Sequence, residues 1–109
     1  MEIKIIKDHE SKPFMEGDEY CKLYFDTDKI VFGVSTLHPS CKGEIDPGHE
    51  SAYEIFYAIK GNILCYIPTE NNYYKLNEGD AILIPPKKPH QLINVGNTTA
   101  IVSWSQAKF

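Results

Sequence analysis

The sequence predicts an all-β domain of the sandwich or barrel kind, and three observations carry that prediction. Apolar runs rich in β-branched and aromatic residues recur every eight to twelve residues. Clusters of Gly, Pro, Asn and Asp separate them. No stretch shows the 3.6-residue period of an amphipathic helix.

Taken in order, strands are expected over 2–7, 19–25, 29–37, 52–60, 63–68, 73–76, 81–84, 90–94 and 99–106. The punctuation has physical content. Asp26-Thr27-Asp28 turns the chain with side chains that bond their own backbone. Gly61-Asn62 is a tight hairpin pair that tolerates positive φ. Thr69 to Asn72, Asn77 to Asp80 and Val95 to Thr98 supply the later turns, and 38–48 reads as a loop.

Two strands, around Ile55-Phe56-Tyr57-Ala58-Ile59 and Ala81-Ile82-Leu83-Ile84, are apolar on both faces, so both faces need cover. The barrel interior covers one; the N-terminal strand or another subunit must cover the other. If Glu54 points inward, alternation sends Phe56 and Ala58 inward too. Ile55, Tyr57 and Ile59 then face outward. An apolar outer face of that kind predicts a twofold homodimer.

Composition bounds the function. The 109 residues fit one domain, 1–109, and a hydrophobic content of 42% supports a real core. The net charge is −4 and no basic run exceeds Lys87-Lys88, so nucleic acid is not an expected partner. No apolar stretch reaches the length of a membrane span, and 2–7 carries mixed charge unlike a signal peptide. Cys21, Cys41 and Cys65 form no CxxC pair and read as reduced thiols. A cytoplasmic protein is expected.

Two segments carry chemistry. The first runs from Gly43 through His49, Glu50 and Glu54 to Gly61; the second runs from Gly79 through Pro85 and His90 to Asn94. Together they resemble the paired motifs of the cupin superfamily. The second pattern is G, five residues, PxG, two residues, H, three residues, N. It fits at Gly79, Pro85, His90 and Asn94, with Lys87 in place of the middle glycine. The first pattern is G, five residues, HxH, three or four residues, E, six residues, G. Glu54 and Gly61 match it. Its HxH pair has three possible registers. With four residues before Glu54, His49 takes the second histidine's place and Pro47 the first. With three, the places fall on Gly48 and Glu50. Counting forward from Gly43 puts His49 first and Ser51 second. Seventeen residues separate Gly61 from Gly79, a compact spacing like that of small cupins.

The resemblance implies a jelly-roll β-barrel holding a metal on His49, Glu54 and His90. The family's usual set is three histidines and a glutamate, so one ligand is unaccounted for. Two imidazoles and a carboxylate suit a divalent transition metal, Fe, Mn, Ni or Zn. Glu50 is a candidate additional ligand under the shorter spacing. Tyr53, Phe56 and Trp104 are candidate pocket residues. The implied activity is dioxygenase, isomerase or lyase chemistry on a small polar molecule, such as a sugar derivative or a carboxylic acid. The alternative is a non-catalytic cupin that dimerises or binds a small ligand. The run Phe56 to Gly61 and the tail Trp104-Ser105-Gln106 are also similar to metal-free dimerising cupins of the centromere-protein type.

Overall fold

The computed structural model describes residues 2–109. Nine strands follow one another: β1 (Lys12–Glu16), β2 (Glu19–Asp26), β3 (Ile30–Leu37), β4 (Ala52–Lys60), β5 (Ile63–Ile67), β6 (Asn72–Leu76), β7 (Ala81–Ile84), β8 (Gln91–Ile93) and β9 (Ala100–Lys108). Two antiparallel sheets result, one in the order β1-β2-β3-β9-β4-β7 and the other β6-β5-β8. Single bridges from Lys42 to Ile93 and from Asp46 to His90 extend the smaller sheet along the 42–46 segment. The connections make this a jelly-roll barrel.

Strand alternation builds the interior. In β4, Ala52, Glu54, Phe56 and Ala58 are buried while Tyr53, Ile55, Tyr57 and Ile59 are exposed. The outward apolar face expected of β4 is therefore present, and Leu83 of β7, the register partner of Ile55, continues it.

Register separates an apolar end from a polar one. Leu37, Ala100, Val102 and Ala58 meet across β3, β9 and β4, and with Ile63, Cys65 and Leu92 they form a fully buried plug. Further along the same strands, Val31, Gln106 and Glu54 are in register, and here the interior opens into a cavity of about 270 Å³. Trp104 lies between the two regions. Its indole crosses Gly33, where a Cβ would fall 2.2 Å from the ring.

The N-terminus departs from expectation. Residues 2–7 form no strand, and Ile3 and Ile5 are 97% and 75% exposed. The edge that such a strand would use is taken by β1, which the sequence pattern did not predict. Pro13 is its second residue, and proline inside a sheet is tolerated chiefly on an edge strand, which is what β1 is. Cys21, Cys41 and Cys65 are free thiols. Among the described residues no helix is long and apolar enough to cross a membrane.

Candidate metal centre

At the polar end, four side chains converge. His49 Nε2 lies 3.6 Å from Glu54 Oε1 and 3.8 Å from Asp46 Oδ2. His90 Nε2 lies 3.0 Å from the same Glu54 oxygen and 3.8 Å from the same Asp46 oxygen. Asp46, His49 and Glu54 each present one ligand atom within 4.8 Å of the others.

Each side chain is held by what its other atoms do. Gln106 Nε2, opposite Glu54 in the β4–β9 register, donates to Glu54 Oε2 at 3.1 Å and leaves Oε1 for the centre. Gly48 N–H donates to Asp46 Oδ1 at 2.8 Å, an Asx turn that leaves Oδ2 free. The Asp46 and His90 backbones exchange two hydrogen bonds, 2.8 and 3.0 Å, which set these residues opposite each other. Phe56 meets the His90 ring edge-on at 5.4 Å.

The loop that carries His49 is fixed from below. Gly48 has φ +93°, and a Cβ there would fall 2.7 Å from Lys88 N. Lys87 N–H donates to His49 O at 2.8 Å. Lys87 itself has φ +64°, so it keeps the left-handed conformation of the glycine it replaces in the motif.

The electrostatics point to a cation. His90 Nδ1 lies 2.9 Å from Lys88 O; a carbonyl only accepts, so Nδ1 carries a proton. Nε2 then faces Glu54 Oε1 at 3.0 Å, where a proton on the ring or a bound cation supplies the positive charge between them. Burial lowers the His90 pKa, but the Glu54 hydrogen bond, the Lys88 carbonyl and the Glu54 and Asp46 charges outweigh it and raise it. His49 Nε2 is buried and has no hydrogen-bond partner, and buried Glu54 Oε1 has no neighbour within hydrogen-bond distance other than His90 Nε2. Buried polar atoms are normally satisfied, so an unpartnered His49 Nε2 3.6 Å from the oxygen that His90 Nε2 also faces fits a ligand among the three. Two imidazoles and two carboxylates are a donor set suited to Fe(II), Mn, Ni or Zn.

Of the residues singled out in the sequence, the structure brings His49, Glu54 and His90 together, with Phe56 and Trp104 lining the same cavity. Glu50 is not brought in: it follows His49 into an exposed turn. Tyr53 is not a lining residue either. Adjacent to inward Glu54, it faces out at 46% exposure, with its ring 5.7 Å from that of Phe109. Asp46 was missed. Its signal was an acidic residue before Pro47-Gly48, three positions ahead of His49. Cys21 also lines the cavity, but burial and the Glu19 charge push its thiol pKa upward, so it is no nucleophile.

Comparisons with known proteins agree with this architecture. A protein of Methanocaldococcus jannaschii, MJ1618, is 39% identical over 49 residues, which are 45% of this chain and 38% of that protein. The match thus spans well under half of the relative's length. A sugar phosphate isomerase of the cupin superfamily from Silicibacter pomeroyi superposes with a TM-score of 0.79 at 11% identity, covering 97% of this chain and 76% of that one. A predicted oxalate decarboxylase from Thermotoga maritima superposes at 0.77 and 16% identity, covering 97% and 100%. At such identities these structures show the fold alone. A family model of the cupin domain (Cupin_2) matches residues 33–105, a span that holds all four converging side chains, and the chain belongs to the cupin family.

Proposed function

We propose that this cupin holds a divalent transition metal on Asp46, His49, Glu54 and His90 and acts on a small polar molecule, such as a sugar derivative, in the adjoining cavity. The observation that carries the reading is His49 Nε2, buried without a hydrogen-bond partner and facing, at 3.6 Å, the Glu54 oxygen that His90 Nε2 also meets at 3.0 Å. When bound, the metal would supply Lewis acidity toward a substrate oxygen for isomerase or lyase chemistry, or, if redox-active, activation of O₂ for dioxygenase chemistry. The chain's own residues prepare the site. Gln106 and the Gly48 N–H aim the two carboxylates, and the Lys88 carbonyl fixes the His90 tautomer. Phe56 and Trp104 wall the cavity with apolar surface.

Calorimetric titration of the metal-stripped protein with Mn, Fe(II), Ni or Zn tests the reading. The parent should bind at least one of them far tighter than about 1 mM, that is, more favourably than about −4 kcal/mol. His90→Ala should lose most of that binding. His9→Ala, an exposed residue outside the centre, should not change it. Equal losses from both, or no binding by the parent, would remove the metal from the account.

The exposed apolar face supports a twofold homodimer as part of the same reading. Ile55, Tyr57, Ile59 and Leu83 are each 44–58% exposed and share the outer surface of β4 and β7.

A further inference from the structure

We propose that the cavity beside the metal centre takes a small organic cation, an amine or quaternary ammonium, between the carboxylates of Glu16, Glu19 and Glu44 and the rings of Phe14 and Trp104. All five side chains line the one cavity of about 270 Å³. The proposal rests on the reading above only in that a bound dication would cancel Asp46 and Glu54; without a metal the wall is more negative still.

Charge sets the class of ligand. Lys108 is the one lysine among the lining residues, and its Nζ is bound to Asp26 at 2.8 Å. Asp46 and Glu54 belong to the metal centre. Glu16, Glu19 and Glu44 remain, and among the described residues none of the three forms an ion pair. Lys87 and Lys88 do not line the cavity: Lys87 is exposed, and Lys88 is paired with Glu70 at 3.0 Å. A cleft lined by one sign of charge concentrates the opposite sign and repels its own. A free carboxylic acid, one of the ligand classes the sequence suggested, is therefore disfavoured.

The wall is built rather than incidental. Glu19 is only 6% exposed, and burial raises its pKa against the hydrogen bonds from Ser35 and Cys21, so a cation beside it would favour its charged form. Trp104 Nε1 donates to Ser35 Oγ at 2.7 Å, and Ser35 in turn donates to Glu19 Oε2, so indole and carboxylate are held side by side. Cys21 Sγ also donates to Oε2. Oε1 receives no hydrogen bond among the described residues. Phe14 stands edge-on to Trp104 at 6.3 Å, adding a second ring. Carboxylates beside aromatic faces are the chemistry that recognises ammonium groups. The three carboxylates lie at graded depths, Glu44 exposed, Glu16 half-buried and Glu19 buried. Burial and the crowding of Glu19, Asp46, Glu54 and Glu44 push the Glu16 pKa up to about 7, so the wall is fully charged only above that pH.

The test uses three probes of one shape and different charge: choline, its neutral isostere 3,3-dimethylbutan-1-ol, and 3,3-dimethylbutanoate. Choline's quaternary nitrogen cannot ligate a metal, so its binding needs no coordination at the centre. Each is titrated at pH 8 by NMR into the protein as purified and after chelation, for the parent and for Glu16→Gln/Glu44→Gln, which leaves the Glu19 network intact. Choline should bind the parent at least about tenfold tighter than the carboxylate. The double variant should bring the two within about threefold, with its metal titration unchanged. If the carboxylate binds as well as choline, or choline prefers the double variant, the proposal is overturned. It is also overturned if none of the probes binds, or if a second equivalent of metal occupies the wall instead. A choline preference that survives in a protein unable to bind metal would sustain this proposal and sink the metal reading.

Discussion

Replacing Asp46 by Asn isolates the ligand that no motif supplied. The amide keeps the oxygen that accepts from Gly48 N–H, so the Asx turn and the His49 loop survive. What disappears is one negative charge, 3.8 Å from each imidazole nitrogen. Loss of an anionic ligand should weaken metal binding by about a hundredfold, or roughly 2.7 kcal/mol. The assay is thermal unfolding with and without metal, at a metal concentration one hundred times the parent's Kd. There the parent gains about 2.7 kcal/mol, and a variant bound a hundredfold more weakly gains about 0.4 kcal/mol. With 109 residues and an unfolding entropy of roughly 2.1 cal/mol/K per residue, the metal should raise the parent's Tm by about 12 °C and that of Asp46→Asn by about 2 °C. Glu50→Gln is the companion variant, because Glu50 was the additional ligand suggested by the sequence. Its exposed position predicts the full parental shift. If Asp46→Asn shows the parental shift and Glu50→Gln does not, the arrangement of ligands described above is wrong.

Three further outcomes are expected. Lys87 holds φ +64°, which costs a non-glycine residue about 1–2 kcal/mol, partly offset by the roughly 0.5–1 kcal/mol of extra chain entropy a glycine loses. Lys87→Gly should therefore stabilise the fold by about 0.5–1 kcal/mol, and a thermal melt lower than the parent's would refute this. Glu16 has a folded pKa of about 7 against an ordinary 4.5, so the folded chain keeps a proton that the unfolded chain releases. Stability should then be highest below about pH 4.5 on this account and decline as pH rises through 7. Glu16→Gln should recover about 1 kcal/mol at pH 8, the figure being small because solvent screens a half-exposed group; denaturant melts across pH that overlay for both proteins would count against it. Light scattering at micromolar concentration should report a dimer, and Ile55→Lys/Tyr57→Lys should convert it to a monomer. A parental monomer would mean the β4–β7 face is not an interface.

What the sequence made legible follows from the reach of its patterns. Eight of the nine strands were readable because alternation and turn residues are local, and each leaves its mark within ten residues or so. β1 was not, because Pro13 breaks the strand pattern, and its tolerance depends on β1 being at the edge, a fact of sheet order. His49, Glu54 and His90 stood in register with two motifs. Asp46 stood in no motif place, since the turn through Pro47 and positive-φ Gly48 takes this segment out of strand alternation. The acidic wall was the least legible feature. Glu16 and Glu19 come from β1 and β2, far in sequence from the histidines, and nothing local shows that they share a cavity.

These two illegible features bear on each other through charge. A dication on the usual three histidines and one glutamate would keep a net charge of +1 and draw an anion toward itself. With Asp46 as the fourth ligand, two carboxylates cancel the dication, and the centre attracts no anion by charge alone. Glu16, Glu19 and Glu44, which form no ion pair among the described residues, then make the cavity increasingly negative as pH rises past the Glu16 pKa of about 7. Exchanging a histidine for Asp46 and walling the cavity with glutamates therefore work in the same direction. If the wall alone selected the ligand, restoring the usual set with Asp46→His would leave the choline preference untouched. Acting together, they predict that Asp46→His, in the metal-loaded protein, narrows that preference even with every wall glutamate in place.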